Sequence, residues 1–199
     1  MTRRFNIEAR RHILEVAREL FHERGLKGVS MEEVAVAAGI KKANLFHYYP
    51  SKESLELAVL EQATDEMKEQ VEAQLSVKGR DPVGAVALMF EQAGRWMRER
   101  RCRGGCFLGN VAQEASDHNE TIRVRVSEFL RCWTEQLAAF LDRGRASGYF
   151  RPELESRAAA EAILALFEGA LLFSKASRRA DPVESSKRMA VAYLEGFQL

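Results

Sequence analysis

Between Lys41 and Lys52 the chain reads KKANLFHYYPSK, which gathers cations, an amide, an imidazole and phenols into one short stretch. Lysines meet phosphates, and amide, imidazole and phenol groups hydrogen-bond the edges of bases. Leu45 is the residue such a helical segment buries, with Lys41, Lys42, Asn44, His47 and Tyr48 arranged around it. Pro50 stops the segment, because its ring removes an N–H and biases Tyr49 away from helix. So small a helix has little reason to bury its polar face. Nucleic acid is the partner its chemistry fits.

A second group with reactive chemistry is Cys106, which follows Gly104-Gly105 and lies near Arg100, Arg101 and Arg103. A helix start and nearby cations both favour thiolate. The alternative is that Cys106 is inert packing. Cys102 and Cys106 have no nearby histidine, and no Cys-x-x-Cys is present, so no metal site is expected.

The elements that must position the first group are legible just upstream. Ser30 with Glu33 has capping-box spacing, Val34, Ala35 and Ala38 form an apolar face, and Gly39 permits a tight turn with Ile40 as its apolar plug. Before them, Ile13, Leu14, Ala17, Leu20 and Phe21 mark one amphipathic helix that ends at Gly25. The pattern is a helix-turn-helix with a supporting helix in front.

The stretch ILEVARELFHERGLKGVSMEEVAVAAGIKKANLFHYYPSKESL is similar to the DNA-binding domain of the tetracycline-repressor (TetR) family of bacterial regulators. The resemblance implies a phosphate-contacting hydroxyl at Ser30, base and backbone contacts from Lys42, Ala43 and Asn44, a groove-facing aromatic set at Phe46, His47 and Tyr48, and a phosphate anchor at Lys52. Phe46 departs from the commoner tyrosine, and Pro50 from a frequent lysine, so the hydroxyl and the ammonium that the family pattern places there for backbone contacts are missing. One such head reads few base pairs, so the family pattern implies two heads on an inverted-repeat operator.

Charge is distributed to match. The 199 residues carry 30 Lys+Arg against 29 Asp+Glu, yet residues 1–52 hold ten basic against six acidic side chains. The excess in the head fits DNA at one end of the chain only. No apolar run approaches the roughly 20 residues that span a bilayer, and the start lacks a signal-peptide core, so no membrane partner is expected and the cytoplasm is the expected compartment. Three cysteines would be reduced there.

Residues 1–52 are therefore expected to form the DNA-binding domain, with a linking helix from Ser51–Lys52, and residues 53–199 a ligand-binding and dimerisation domain. The linking helix is expected to end before Lys78–Gly79. Asp81-Pro82 starts the next helix, with Val86, Met89, Phe90, Ala93 and Met97 inward. A short helix follows Gly104-Gly105. Asn119 or Asp117 caps a long one carrying Val124, Phe129, Trp133, Leu137, Phe140 and Leu141, and residues 147–154 form a loop. Residues 158–173 are apolar on nearly every side, and Asp181-Pro182-Val183-Glu184 reads as cap, first-turn proline and capping-box glutamate of a final helix. No strand pattern appears, so the fold class is all-α.

In the family the last two helices form a homodimer interface; otherwise they close a monomeric core. Phe90, Trp96, Phe107, Trp133, Phe140, Phe167 and Phe173 are candidates for an effector pocket or, alternatively, plain core. The segment GGCFLGN, ending at Asn110, resembles a branch of the family in which a cysteine senses electrophiles or oxidants, and the resemblance places a partner amine at Lys175. No phosphate-binding loop or nucleophile elbow is present, so neither a cofactor nor catalysis is expected. A ligand-responsive repressor is the reading these features favour; its rival is an architectural DNA-binding protein without an inducer.

Overall fold

A computed structural model of the chain describes residues 2–76 and 81–199, with the side chains of 2–6 set aside. Among them nine helices and no strand are found: α1 Thr2–Arg24, α2 Met31–Ala37, α3 Lys42–Tyr48, α4 Lys52–Leu75, α5 Pro82–Glu99, α6 Phe107–Ala115, α7 Glu120–Ala146, α8 Ser156–Ser177 and α9 Asp181–Glu195. One isolated antiparallel bridge joins Phe150 and Gln198. The fold is all-α. The break expected at Lys78–Gly79 lies outside the described residues.

Two compact units divide the chain. The first is Met1–Glu66 with Phe107–Val126, and the second is Met67–Cys106 with Ser127–Leu199. The segment from Phe107 to Val126 therefore groups with the head, although it lies far away in sequence.

In the first unit, α1 turns Ile13, Ala17 and Phe21 inward at one-turn and two-turn spacing, and all three are buried. It ends where Gly25 takes φ +77°, and the Gly25 N–H returns to the Phe21 carbonyl at 2.9 Å. Met31, Val34 and Ala35 seat α2, and Leu45 alone seats α3. The expected capping box at Ser30 is present. Ile40 is half-buried.

In the second unit, α9 packs chiefly against α5 and α8. Asp81 caps α5 by accepting the N–H groups of Val83 and Gly84, with Pro82 in the first turn. Phe90, Met97, Leu141 and Leu194 are fully buried. In the loop before α8, Phe150 is buried against Gly144, where a Cβ would stand 2.8 Å from the phenyl ring. The N–H of Arg151 donates to the Phe197 carbonyl at 2.7 Å, tying that loop to the chain's last residues.

Of the two caps expected for α7, Asn119 fills the role, accepting the Ile122 N–H at 3.1 Å. Two other expectations about helix detail change. Val124 is exposed, because the buried phase of α7 runs through Ile122, Val126, Phe129, Trp133 and Leu137, and Val124 falls on the other side. The tetrad opening α9 makes no side-chain cap: Asp181 is drawn to the guanidinium of Arg179, and Glu184 to Lys187 at 3.1 Å. The N-cap position falls on Ala180, so Asp181 stands inside the first turn and not at the cap.

Candidate nucleic-acid interface and effector site

The helix-turn-helix is braced by carboxylates. Ser30 Oγ accepts the Glu33 N–H at 3.2 Å, and the Ser30 N–H donates to Glu33 Oε2 at 2.8 Å. Arg24 donates to Glu33 Oε1 at 2.6 Å and to the Gly28 carbonyl at 2.7 Å. The Ser30 backbone N–H, then the Arg24 guanidinium and the Ser30 hydroxyl, hold the Glu33 carboxyl down at about 2. Gly39, at φ +66°, turns the chain from α2 to α3, and the Ile40 N–H closes on the Ala35 carbonyl at 3.0 Å.

Beyond that turn α3 presents its polar residues outward. Lys41, at the N-cap, makes no side-chain cap bond. Lys41, Lys42, Ala43, Asn44, Phe46 and His47 are exposed, while Tyr48 is half-buried with its ring edge-on to His47 at 5.7 Å. Lys42 does not stand free: it is ion-paired with Glu32 of α2 and sits over the Phe46 ring at 5.7 Å. That pairing is the main reason the Glu32 carboxyl lies below its ordinary value. Tyr49 is buried with Arg10 over its ring at 5.5 Å, and its hydroxyl finds no hydrogen-bond partner among the described residues.

Lys52 opens α4 behind a reciprocal cap in which the Ser51 and Ser54 hydroxyls each accept the other's N–H at 3.1 Å. Its ammonium lies 3.7 Å from Glu56, whose half-buried carboxyl is pushed up by desolvation. The head thus offers Ser30, Lys41, Asn44, Phe46 and His47 at its surface, with Lys42 and Lys52 there but already paired. Glu32 was not anticipated, because its partner is ten residues away on another helix.

The aromatic residues of the second unit are partly joined. Phe167 lies edge-on to Phe90 at 5.3 Å and to Trp133 at 5.5 Å, and Trp133 meets Phe129 at 5.6 Å. An apolar cleft beside Trp133 and Leu137 is lined by Val71, Gln74 and Leu75 of α4 and by Ala85, Val86 and Met89 of α5. Of the residues expected to meet an effector, Trp133 reaches it. Trp96 is half-buried under the Arg100 guanidinium, 5.0 Å from its ring. Phe173 is 68% exposed on the outer side of α8 and so stands apart from the aromatic cluster. Lys175 is half-buried on the same helix.

Phe107 and Asn110 belong to α6 and the first unit, where Phe107 packs against His22 at 5.8 Å with Arg18 over its ring. Cys106, half-buried and free of any disulfide, has its thiol bonded to the carboxyl of Glu168, which burial pushes above the ordinary range. A carboxyl, rather than the nearby arginines alone, therefore sets the surroundings of that sulfur. Sequence spacing gives no sign of Glu168. Among the described residues no group of three or more His, Cys, Asp or Glu is placed to hold a metal, and no helix is long and apolar enough to cross a membrane.

A three-helix head with an exposed polar α3, followed by an all-helical second unit, defines a helix-turn-helix DNA-binding regulator. Residues 13–59 match the family described as "Bacterial regulatory proteins, tetR family", and residues 82–190 match "Tetracyclin repressor-like, C-terminal domain". The chain belongs to the TetR family. It is 28% identical to the transcriptional regulator AcuR of Cereibacter sphaeroides over 181 residues, covering 90% of this chain and 82% of that one. Over 175 residues it is 23% identical to the transcriptional repressor DhaR of Mycobacterium sp. strain GP1, covering 88% and 86%. A TetR regulator structure from Chloroflexus aurantiacus J-10-FL superposes with a TM-score of 0.87 at 27% identity, covering 98% of both chains. The protein is a DNA-binding transcriptional regulator.

Proposed function

We propose that this regulator is a homodimeric repressor that holds an inverted-repeat operator with two heads and releases it when a small molecule occupies the second unit. The observation that carries the dimer is an apolar stripe on the outside of α8 and α9. Leu166, Leu172 and Phe173 are exposed on α8, and Met189 and Tyr193 on α9, although both helices also bury a full inner face. Within that stripe a Cβ at Gly169 would find nothing within 4 Å. A mid-helix glycine costs about 1 kcal/mol relative to alanine, and close approach of a partner helix offsets that cost. The two copies would place their heads on half-sites about one DNA turn apart or at a multiple of it.

Residues 1–52 would carry DNA recognition and 53–199 effector binding and dimerisation, in the cytoplasm. Ser30, Lys41, Lys42, Ala43, Asn44, Phe46, His47, Tyr48 and Lys52 are the proposed DNA contacts. The cleft beside Trp133 is the proposed entry for an apolar effector, and the Trp133 ring continues from it into contact with Phe167 and, through Phe167, Phe90. Release requires that the effector bind the two conformations of the repressor unequally, by typically 1–3 kcal/mol. Cys106 with Lys175 offers a covalent route to the same release.

Sedimentation of the protein alone, followed by gel-shift titration before and after maleimide labelling, tests the reading. A dimer that binds an inverted repeat and loses it on labelling in wild type, but not in Cys106→Ser, supports the covalent route. A dimer whose binding ignores maleimide leaves the non-covalent route standing. A monomer at micromolar concentration contradicts the proposal as a whole.

A further inference from the structure

We propose that Glu114 is a positioning residue for DNA binding: from α6 it fixes the turn between α1 and α2, and through that turn the angle at which α2 and α3 meet the duplex. A helix C-terminus ordinarily leaves carbonyls unpaired and attracts cations. The chain after α1 instead turns at Gly25 so that two consecutive N–H groups point the same way. Glu114 receives both: the Leu26 N–H donates to Oε2 at 2.8 Å and the Lys27 N–H to Oε1 at 2.7 Å. One oxygen for each amide is the bidentate arrangement only a carboxylate supplies, because an amide side chain would set its own NH2 against one of the donors.

Gly25 confirms the closeness of the fit. At φ +77° it favours glycine already, and a Cβ there would stand 2.7 Å from Glu114 Oε2. The opposite side of the turn is held by Arg24, which bonds the Gly28 carbonyl and Glu33. That grip is local in sequence. The grip of Glu114 comes from 87 and 88 residues away.

The other end of α6 is also anchored to α1. Phe107 lies edge-on to His22, with the Arg18 guanidinium over its ring, and Arg18 pairs in turn with Glu66, which accepts from Gln62 at 2.8 Å. α6 is therefore fastened along α1 at both of its ends. The Glu114 end lies against the turn that delivers Ser30, the N-cap of α2, three residues after Lys27.

The test exploits the sign of the charge. Glu114→Gln removes a negative charge from a DNA-binding head, so a purely electrostatic role makes binding equal or tighter. Positioning makes it weaker. The probe is the duplex recovered by selection with the wild-type protein, and the second readout is hydrogen exchange at the Leu26 and Lys27 amides. The expected result for Glu114→Gln is exchange at those two amides faster by about ten-fold or more, and DNA binding weaker by about five-fold, with an unchanged salt slope because no phosphate contact is lost. Glu114→Asp, which keeps the charge but falls one methylene short, should change both readouts in the same direction. DNA binding that is equal or tighter in Glu114→Gln, a changed salt slope, or unchanged exchange at Leu26 and Lys27 would overturn the proposal. The exchange measurement stands without any DNA, so it separates failure of this inference from failure of operator selection.

Discussion

The Glu32 carboxylate holds the Lys42 ammonium between α2 and α3, so the first lysine of the DNA-facing helix is already paired when no DNA is present. Both side chains are more than half exposed, which makes the pair weak and easily exchanged. A phosphate or a guanine edge that reaches Lys42 must share its ammonium with Glu32 or displace it, and either way brings a carboxylate close to DNA.

Removing Glu32 should therefore favour DNA. Glu32→Gln is expected to tighten operator binding by about two- to five-fold and to steepen the logarithmic salt slope by up to one unit, as one more cation becomes available to phosphate. Lys42→Ala is expected to weaken it by about 1–3 kcal/mol if the lysine reads a base. Titrations at several salt concentrations check both. Unchanged binding in Glu32→Gln would mean that the pair is absent in solution.

The capping box at α2 predicts a pH response in the acid range. The Glu33 carboxyl sits at about 2 instead of 4.5, so folding is favoured while Glu33 is ionised. Its contribution is complete above about pH 4.5 and is lost as the pH falls toward 2. The side-chain carboxyl carbon of Glu33 should titrate near 2 by NMR, and a midpoint near 4.5 would contradict the box. Ser30→Ala should cost about 1 kcal/mol of stability and raise that midpoint.

Among the described residues the buried Tyr49 hydroxyl has no hydrogen-bond partner, so Tyr49→Phe removes a desolvated polar atom and loses none of the bonds described. The expected result is a gain of roughly 1 kcal/mol in thermal unfolding, with DNA binding intact. A loss of stability, or of DNA binding, would show that the hydroxyl has a partner in the working protein.

Much of this architecture is local and therefore legible before any coordinates. Ser30 and Glu33, Asp81 and Pro82, and the glycines at 25 and 39 each act over a few residues, and each sits where its spacing indicates. Local spacing fails where the helix start shifts by a residue, as it does at α9, whose N-cap is Ala180 and not Asp181. It fails again at α8, because a helix apolar on nearly every side does not declare which side is buried, and Phe173 proves to be outside. The pairs Glu32–Lys42, Glu114 with Leu26 and Lys27, and Cys106–Glu168 join residues on different elements. Only tertiary structure brings them together, and no spacing in the chain announces them.

The exposed stripe on α8 gives a prediction about assembly. A Cβ at Gly169 meets nothing within 4 Å among the described residues, so Gly169→Leu should leave the folded subunit as stable as wild type or slightly more so. Its larger side chain would hold a partner helix away. Sedimentation should show the dimer weakened by about a hundred-fold or more, as for an overpacked interface centre. A variant that remains fully dimeric would move the interface away from α8.

Selection of bound sites from a random pool of duplex DNA decides between specific and architectural binding. The expected result is an enriched inverted repeat whose half-sites lie about one helical turn apart or a multiple of it, with binding lost on Lys41→Ala/Asn44→Ala double substitution in α3. A pool that returns no enriched sequence, with steeply salt-dependent binding to any duplex, would contradict specific recognition and leave an architectural DNA-binding protein in its place.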